Sequence, residues 1–361
     1  TTLTLPLTTT SVTLPLTTLT LPLTTTSVTL PVTTLTLPLT TTTTATRPPT
    51  TTAASTTTTT RPPATTSTTR PSAPAPLFEL ALTLRPARTP ASVPERMGAA
   101  LAASDNMFLI GAPGDGSAAP DAGIVYVVGA SGPTFGRLLR VLRKPGTPAA
   151  GDAFGAAVAY VAEDLAVGAP GTGTVHLFRR ATGQPLLTIP SPPGAGRFGS
   201  AIAAVGPNLL VGAPGSGNAP GKAFLYDGTG DGTGNLLLAL TNPLATPGDQ
   251  FGSTVATDGS RLLIGAPGAD TVFLFSVDTS KLTSQLIRKF TKPPGAGDRF
   301  GASIAVTAAG LLVGAPSDGE VPPAGGAAYL FDLDTGDLRS VLRKEEPRPD
   351  DLFGTAVAGL G

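Results

Sequence analysis

The chain contains no cysteine, no tryptophan and one histidine among 361 residues. Without cysteine, neither a disulfide framework nor a thiolate metal site can form. The lone His176 has no histidine or cysteine partner for zinc. Its strand, Val175-His176-Leu177-Phe178, reads as giving it a solvent-facing position, and no catalytic triad can be assembled around it. Charge of either sign is scarce, with 24 basic residues against 24 acidic ones. That balance supplies no field to attract nucleic acid or an anionic membrane. No apolar run is long enough to span a bilayer, so no transmembrane segment is expected. There is no Walker-type loop. The glycines at 228–234 run into an apolar strand rather than a helix, unlike a dinucleotide-binding turn. No Asn-X-Ser/Thr sequon occurs, so N-linked glycans are not expected.

Glycine and proline, by contrast, number 44 and 38, which favours turns and short strands over helices. In the second part of the chain their placement is regular. Phe154-Gly155 leads to Gly168-Ala169-Pro170, and Phe198-Gly199 to Gly212-Ala213-Pro214. Phe251-Gly252 leads to Gly265-Ala266-Pro267, and Phe300-Gly301 to Gly314-Ala315-Pro316. Met97-Gly98 precedes Gly111-Ala112-Pro113 in an earlier copy, and Phe353-Gly354 opens a further, partial one. The offset within a copy is constant while the distance between copies drifts. A rigid unit with variable connectors is a repeat architecture.

The composition divides the chain in three. Residues 1–46 repeat TTLTLPLTTTSVTLPL with a period of about sixteen residues. Leu3, Leu5 and Leu7, then Val12, Leu14 and Leu16, alternate with Thr and Pro, and Leu19, Leu21 and Leu23 repeat the first set. Such alternation predicts short extended strands. These apolar positions are the candidate contacts for self-association into a fibre or surface layer. Residues 47–76 are Thr, Pro, Ala and Ser with three Arg-Pro dipeptides. They cannot build a core and read as a solvated linker. Dense Thr with Pro is the composition of O-glycosylated stalks. Candidate acceptors are Thr8, Thr9, Thr10, Thr24, Thr25, Thr26, Thr50, Thr51 and Thr52. Residues 77–361 are the folded part. Both chain ends are expected to be incomplete, because the chain begins at Thr1 and stops inside a repeat.

Within each repeat four strands are predicted. The first starts at Phe-Gly with small residues, as in Phe198–Ala203. The second runs into Gly-Ala-Pro, as in Leu209–Val211. The third carries aromatics, at Ile124–Val128, Val175–Phe178, Ala223–Tyr226, Val272–Phe275 and Ala328–Phe331. The fourth follows a turn, as at Leu236–Leu240 and Ser340–Leu342. Four strands in a unit of about fifty residues define an all-β propeller blade. The repeated Phe154, Phe198, Phe251, Phe300 and Phe353 read as core, and truncating one that is buried costs about 3–5 kcal/mol.

The recurring pair, offset and aromatic strand resemble the FG-GAP repeat of integrin-α-like β-propellers, over about residues 79–361. The resemblance implies a propeller usually of seven blades, of which five full repeats and a partial sixth are visible. It implies calcium in acidic loops between the first and second strands. The residues there do not supply the several carboxylates that a six- to eight-coordinate oxygen site needs. Asp227 and Asp231, in an Asp/Gly-rich turn, and Asp115 and Asp121, in the loop after the first Gly-Ala-Pro, are weak alternatives. Asp318 and Glu320 read similarly, as exposed loop acids. Asp152, Asp249, Asp298 and Asp351 each stand two residues before a repeat Phe and read as Asx turns. Arg137, Arg140, Arg143 and Lys144 read as one solvated face of an outer strand. No cofactor is required by these residues and no enzyme is expected. Two functions fit. One is a structural subunit of an extracellular, O-glycosylated fibre or surface assembly. The other is a cell-surface adhesin whose propeller loops bind a protein or glycan.

Overall fold

The computed structural model describes residues 2–7, 10–15, 83, 95–228, 234–244, 246–292, 298–319 and 325–359. The chain divides into two units, Thr1–Ala75 and Pro76–Gly361. In the first unit, strands β1 (Thr2–Leu7) and β2 (Thr10–Pro15) form an antiparallel hairpin. Its register sets Leu3 against Leu14 and Leu5 against Val12, with Thr4 against Thr13 between them. Apolar and β-branched polar positions thus alternate in pairs across both strands. Pro6, which has no N–H to give the ladder, pairs with Ser11. Leu16, Leu19, Leu21 and Leu23 lie outside the described residues, as do Thr8, Thr9, Thr24–Thr26 and Thr50–Thr52.

The second unit is five four-stranded antiparallel sheets, each in simple sequence order. Blade one is β3 (Ala100–Ala103), β4 (Met107–Ala112), β5 (Ile124–Gly129) and β6 (Leu138–Leu142). Blade two is β7 (Ala157–Val161), β8 (Asp164–Ala169), β9 (Thr174–Arg179) and β10 (Pro185–Pro190). Blade three is β11 (Ala201–Val205), β12 (Asn208–Ala213), β13 (Lys222–Tyr226) and β14 (Leu236–Thr241). Blade four is β15 (Thr254–Thr257), β16 (Arg261–Ala266), β17 (Thr271–Asp278) and β18 (Thr283–Thr291). Blade five is β19 (Ser303–Thr307), β20 (Gly310–Ala315), β21 (Ala327–Phe331) and β22 (Leu338–Leu342). The first strands surround a central channel, which the segment Thr355–Val357 also lines. Their Ala, Ser and Thr content follows from that crowding. A bulge interrupts the pairing of the third and fourth strands in every blade, which adds twist.

The Phe-Gly pair is a turn rather than the start of a strand. Ser200 N–H donates to Arg197 O at 3.2 Å, with Phe198 and Gly199 between them. Gly199 has φ +89°, as the third position of a type II turn demands. The first strand therefore begins three residues after the Phe, not at it. Gly199 N–H also donates to Gly212 O at 3.0 Å, and the same bond joins Gly155 to Gly168, Gly252 to Gly265 and Gly301 to Gly314. This bond fixes the constant offset of the repeat. Toward the preceding blade, the carbonyl of each Phe-Gly glycine abuts the glycine of that blade's Gly-Ala-Pro. A Cβ built on Gly168 would stand 2.0 Å from Gly199 O, so this approach excludes any side chain.

Apolar layers fill the gaps between adjacent blades. Phe198, for example, packs with Val175, Leu177 and Ile189 of blade two and with Val211, Phe224 and Tyr226 of its own blade. It meets Phe224 edge-on with centroids 5.8 Å apart, a geometry that aromatic quadrupoles favour. Phe154, Phe198, Phe251 and Phe300 are all 0 % exposed, and each such burial contributes about 2–3 kcal/mol. Phe353 is 36 % exposed and is joined to blade five by an isolated bridge with Gly326, in which its N–H donates to Gly325 O at 2.8 Å. The face of blade five beside it is also more open. Leu342 there is 45 % exposed, against 2 % for its counterpart Phe290 in blade four.

Candidate binding site on the loop face

The residue before each Phe-Gly turn adopts a left-handed backbone although it is not glycine. Arg96, Ala153, Arg197, Gln250, Arg299 and Leu352 have φ between 48° and 58°, at 49°, 52°, 57°, 55°, 56° and 51°. That conformation costs an L-residue roughly 1–2 kcal/mol. It is imposed by the tight entry into the turn, and the side chain is left on the surface. Arg197, Gln250 and Arg299 are all exposed.

These three side chains, from successive repeats, border one basin of about 430 Å³. Pro214, Gly215, Ser216 and Gly217 of the loop after Gly-Ala-Pro complete it, with Ser200 and Ser253. Both serines also line the central channel, so the basin opens at its mouth. Among the described residues no carboxylate and no aromatic ring lines it. The guanidinium groups of Arg197 and Arg299 form no ion pair or side-chain hydrogen bond among the described residues. Arg96, at the same repeat position, instead reaches Asp121 at 3.4 Å.

The acids two residues before each Phe behave differently from the expected uniform Asx turn. Asp249 fits it: its Oδ1 accepts from Phe251 N–H at 3.0 Å and Gly221 N–H at 3.1 Å. Its Oδ2 accepts from Asn242 Nδ2 at 2.6 Å. Asp152 instead accepts from Ala149 N–H and from Lys144 Nζ, both at 2.7 Å. Asp351 is held by Lys344 at 2.7 Å, and Asp298 pairs with Lys292. Lys144, Asn242, Lys292 and Lys344 all follow a fourth strand, so each connector is clasped end to end. In the repeat with Gly196, Ser191 Oγ takes that place by donating to Ala195 O at 2.8 Å. The sequence carried this clasp as a polar residue before proline, at Lys144-Pro145, Ser191-Pro192, Asn242-Pro243 and Lys292-Pro293.

Several expectations are corrected. Lys144 is not on a solvated face, since its side chain is 12 % exposed against the buried Asp152. Arg140 crosses to the next blade and donates to Arg180 O at 2.9 Å. Asp318 is buried, between Tyr329 Oη, Lys292 and Arg343. Asp115 is buried too, accepting from Ser117 N–H at 3.0 Å. His176 is buried rather than solvent-facing. It replaces the aromatic that Tyr126, Phe224, Phe273 and Tyr329 supply at the same register. Its two ring nitrogens lie 2.9 Å from Thr174 Oγ1 and 3.0 Å from Thr188 Oγ1. Burial, then nearby Lys144, lowers its pKa to about 4, against a smaller opposing pull from Asp152.

Among the described residues the calcium that the repeat implies finds no fitting set of ligands. Among the described residues no three His, Asp or Glu groups converge. Asp115 and Asp121 are engaged separately, by Ser117 and Arg96. Asp227 sits at the base of its turn, where its N–H donates to Asn235 O at 2.9 Å. Asp231 and Glu320 lie outside the described residues.

The fold and its turns define a β-propeller. Residues 294–331 match the family model described as FG-GAP repeat. That stretch carries Phe300-Gly301, Gly314-Ala315-Pro316 and the aromatic strand β21 of blade five, and the other four blades share its bonds and order. No curated protein matches the chain. FG-GAP propellers are commonly extracellular and adhesion-related, and typically non-enzymatic. Among the described residues no helix is long and apolar enough to cross a membrane.

Proposed function

We propose that the chain is an extracellular binding protein, with the propeller as its recognition module and the Thr-rich segment as an O-glycosylated stalk. One observation carries this reading. On a scaffold whose bonds repeat from blade to blade, the loop-face residues differ, and they enclose a polar basin at the channel mouth. A rigid frame with variable loops is how binding sites are commonly built. No catalytic role is proposed, because the lone His176 is enclosed within a blade. The test is saturable binding of the full chain to extracellular matrix and cell surfaces. Exchanging the loop 215–221 for the shorter loop of blade four should abolish it. Unchanged binding after that exchange would refute the reading.

A second reading, a fibre or surface-layer subunit, is favoured by the β1–β2 hairpin, which sets Leu3 and Leu5 opposite Leu14 and Val12. Stacked hairpins of this kind would assemble through their apolar positions. Electron microscopy of the full chain should then show filaments that vanish when residues 1–76 are removed. Monodisperse particles from the full chain would dispose of it. Intact mass above the sequence mass would report the stalk glycans.

A further inference from the structure

We propose that the basin between Arg197 and Arg299 receives a carboxylate side chain of an acidic peptide segment. The proposal rests on the binding reading above and names the ligand class for that face.

The argument begins with charge. Over the whole chain acids and bases cancel, yet the described residues that line the basin include two arginines and no acid. Elsewhere on the propeller, exposed basic groups are commonly engaged. Arg96 reaches Asp121, Lys281 pairs with Asp278 at 2.8 Å and Lys344 with Asp351. Arg197 and Arg299 border a shared concavity, and their forks have no partner among the described residues. A guanidinium offers a planar pair of donors that matches a carboxylate bidentately. Ser253 adds a hydroxyl donor to the same lining, while Ser200 Oγ donates to Arg197 O at 2.8 Å and braces the turn that carries that arginine.

The lining also separates one acidic macromolecule from another. Sugar rings often stack on an aromatic face, and none of the described residues that line this basin is aromatic. An extended peptide needs a polar trough wide enough for a backbone, with fixed cations for its side chains. About 430 Å³ admits one or two such side chains. The backbone turns that carry Arg197 and Arg299 are each pinned by the bonds of the Phe-Gly repeat. Their Cα positions are thus set before the ligand arrives, which lowers the ordering cost of binding.

The test uses the full chain and a Glu-rich hexapeptide, its Gln counterpart and an acidic uronate tetrasaccharide as probes, by titration calorimetry at two salt concentrations. The Glu peptide should bind and the Gln peptide should not. R197Q and R299Q should each weaken binding about tenfold, while R137Q, an exposed arginine elsewhere, should leave it unchanged. Gln250→Arg, which adds a third cation to the same basin, should tighten binding severalfold. Equal binding of the Gln peptide would overturn the proposal, as would equal losses in R137Q or tighter binding of the tetrasaccharide. Loop-dependent binding to cell surfaces that survives both R197Q and R299Q would defeat this inference and leave the binding reading intact.

Discussion

The carbonyl oxygen of Gly252 lies 2.0 Å from where a Cβ on Gly212 would stand. One glycine belongs to Gly-Ala-Pro of blade three and the other to the Phe-Gly turn of blade four, so blade spacing is set at a backbone-to-backbone contact. Neither partner is a flexible side chain that can move aside. Gly212→Ala is expected to cost about 3 kcal/mol of unfolding free energy. Gly116→Ala, whose nearest neighbour would be 3.9 Å away, should stay within about 0.5 kcal/mol of the parent. Chemical denaturation of both variants decides it.

Phe300 and Phe353 occupy the same position in successive repeats but differ in cover. Phe300 touches Tyr329 and Phe331, with centroids 5.6 and 5.8 Å away. Phe300→Ala should destabilise by about 3–5 kcal/mol. Phe353→Ala should cost clearly less, about 1 kcal/mol, since over a third of the residue is already exposed. Equal losses would show that burial does not set the energy of this repeat position.

His176 makes the propeller sensitive to acid. Its folded pKa of about 4 lies below the ordinary 6.5, so the unfolded chain takes up the proton first. The stabilisation from neutral His176 is whole above about pH 6.5 and is lost as the pH falls toward 4. The loss reaches about 3 kcal/mol at the lower limit. Phenylalanine fills the matching position in blades three and four, so His176→Phe should fold and should flatten this part of the profile. Thermal melts at pH 7 and pH 4.5 for parent and variant isolate the His176 contribution from that of the carboxylates.

Asp249 is fully buried and holds three donors, from Gly221, Phe251 and Asn242. Asp249→Ala would strand all three and should cost about 3 kcal/mol or more. Asp249→Asn should fall between that variant and the parent. It keeps an acceptor for the two amides but turns an NH₂ toward the Asn242 side chain, whose own Oδ1 is engaged by Leu244 N–H at 2.8 Å. Denaturation midpoints in that order support the clasp, and a harmless Asp249→Ala would refute it.

The blades were legible in the sequence because one hydrogen bond, Gly199 to Gly212 and its equivalents, forces a constant spacing that drifting connectors cannot hide. The aromatic strands were legible because Tyr126, Phe224, Phe273 and Tyr329 recur at one register. His176 was misread for a physical reason. Alternation along a strand reports exposure when one sheet face is wet, but the inner strands of a blade are covered on both sides, as the burial of Val175 to Phe178 shows. Asp115 and Asp318 were misread because acids in loops are usually solvated, and the serine, lysine, tyrosine and arginine partners that bury them are distant or unremarkable in sequence. The basin was hidden for a further reason. Arg197, Gln250 and Arg299 share a position rather than an identity, unlike the recurring Phe-Gly pair beside them.

The left-handed residue before each Phe-Gly turn gives the propeller a set of interchangeable sockets. Every socket has the same backbone and sits outside the packed layers, so its side chain is chosen without regard to folding. Arg, Ala, Gln and Leu already occupy it in different repeats. An engineer could rewrite the charge and shape of one whole face by exchanging single residues, one per blade, while leaving every inter-blade contact as it is.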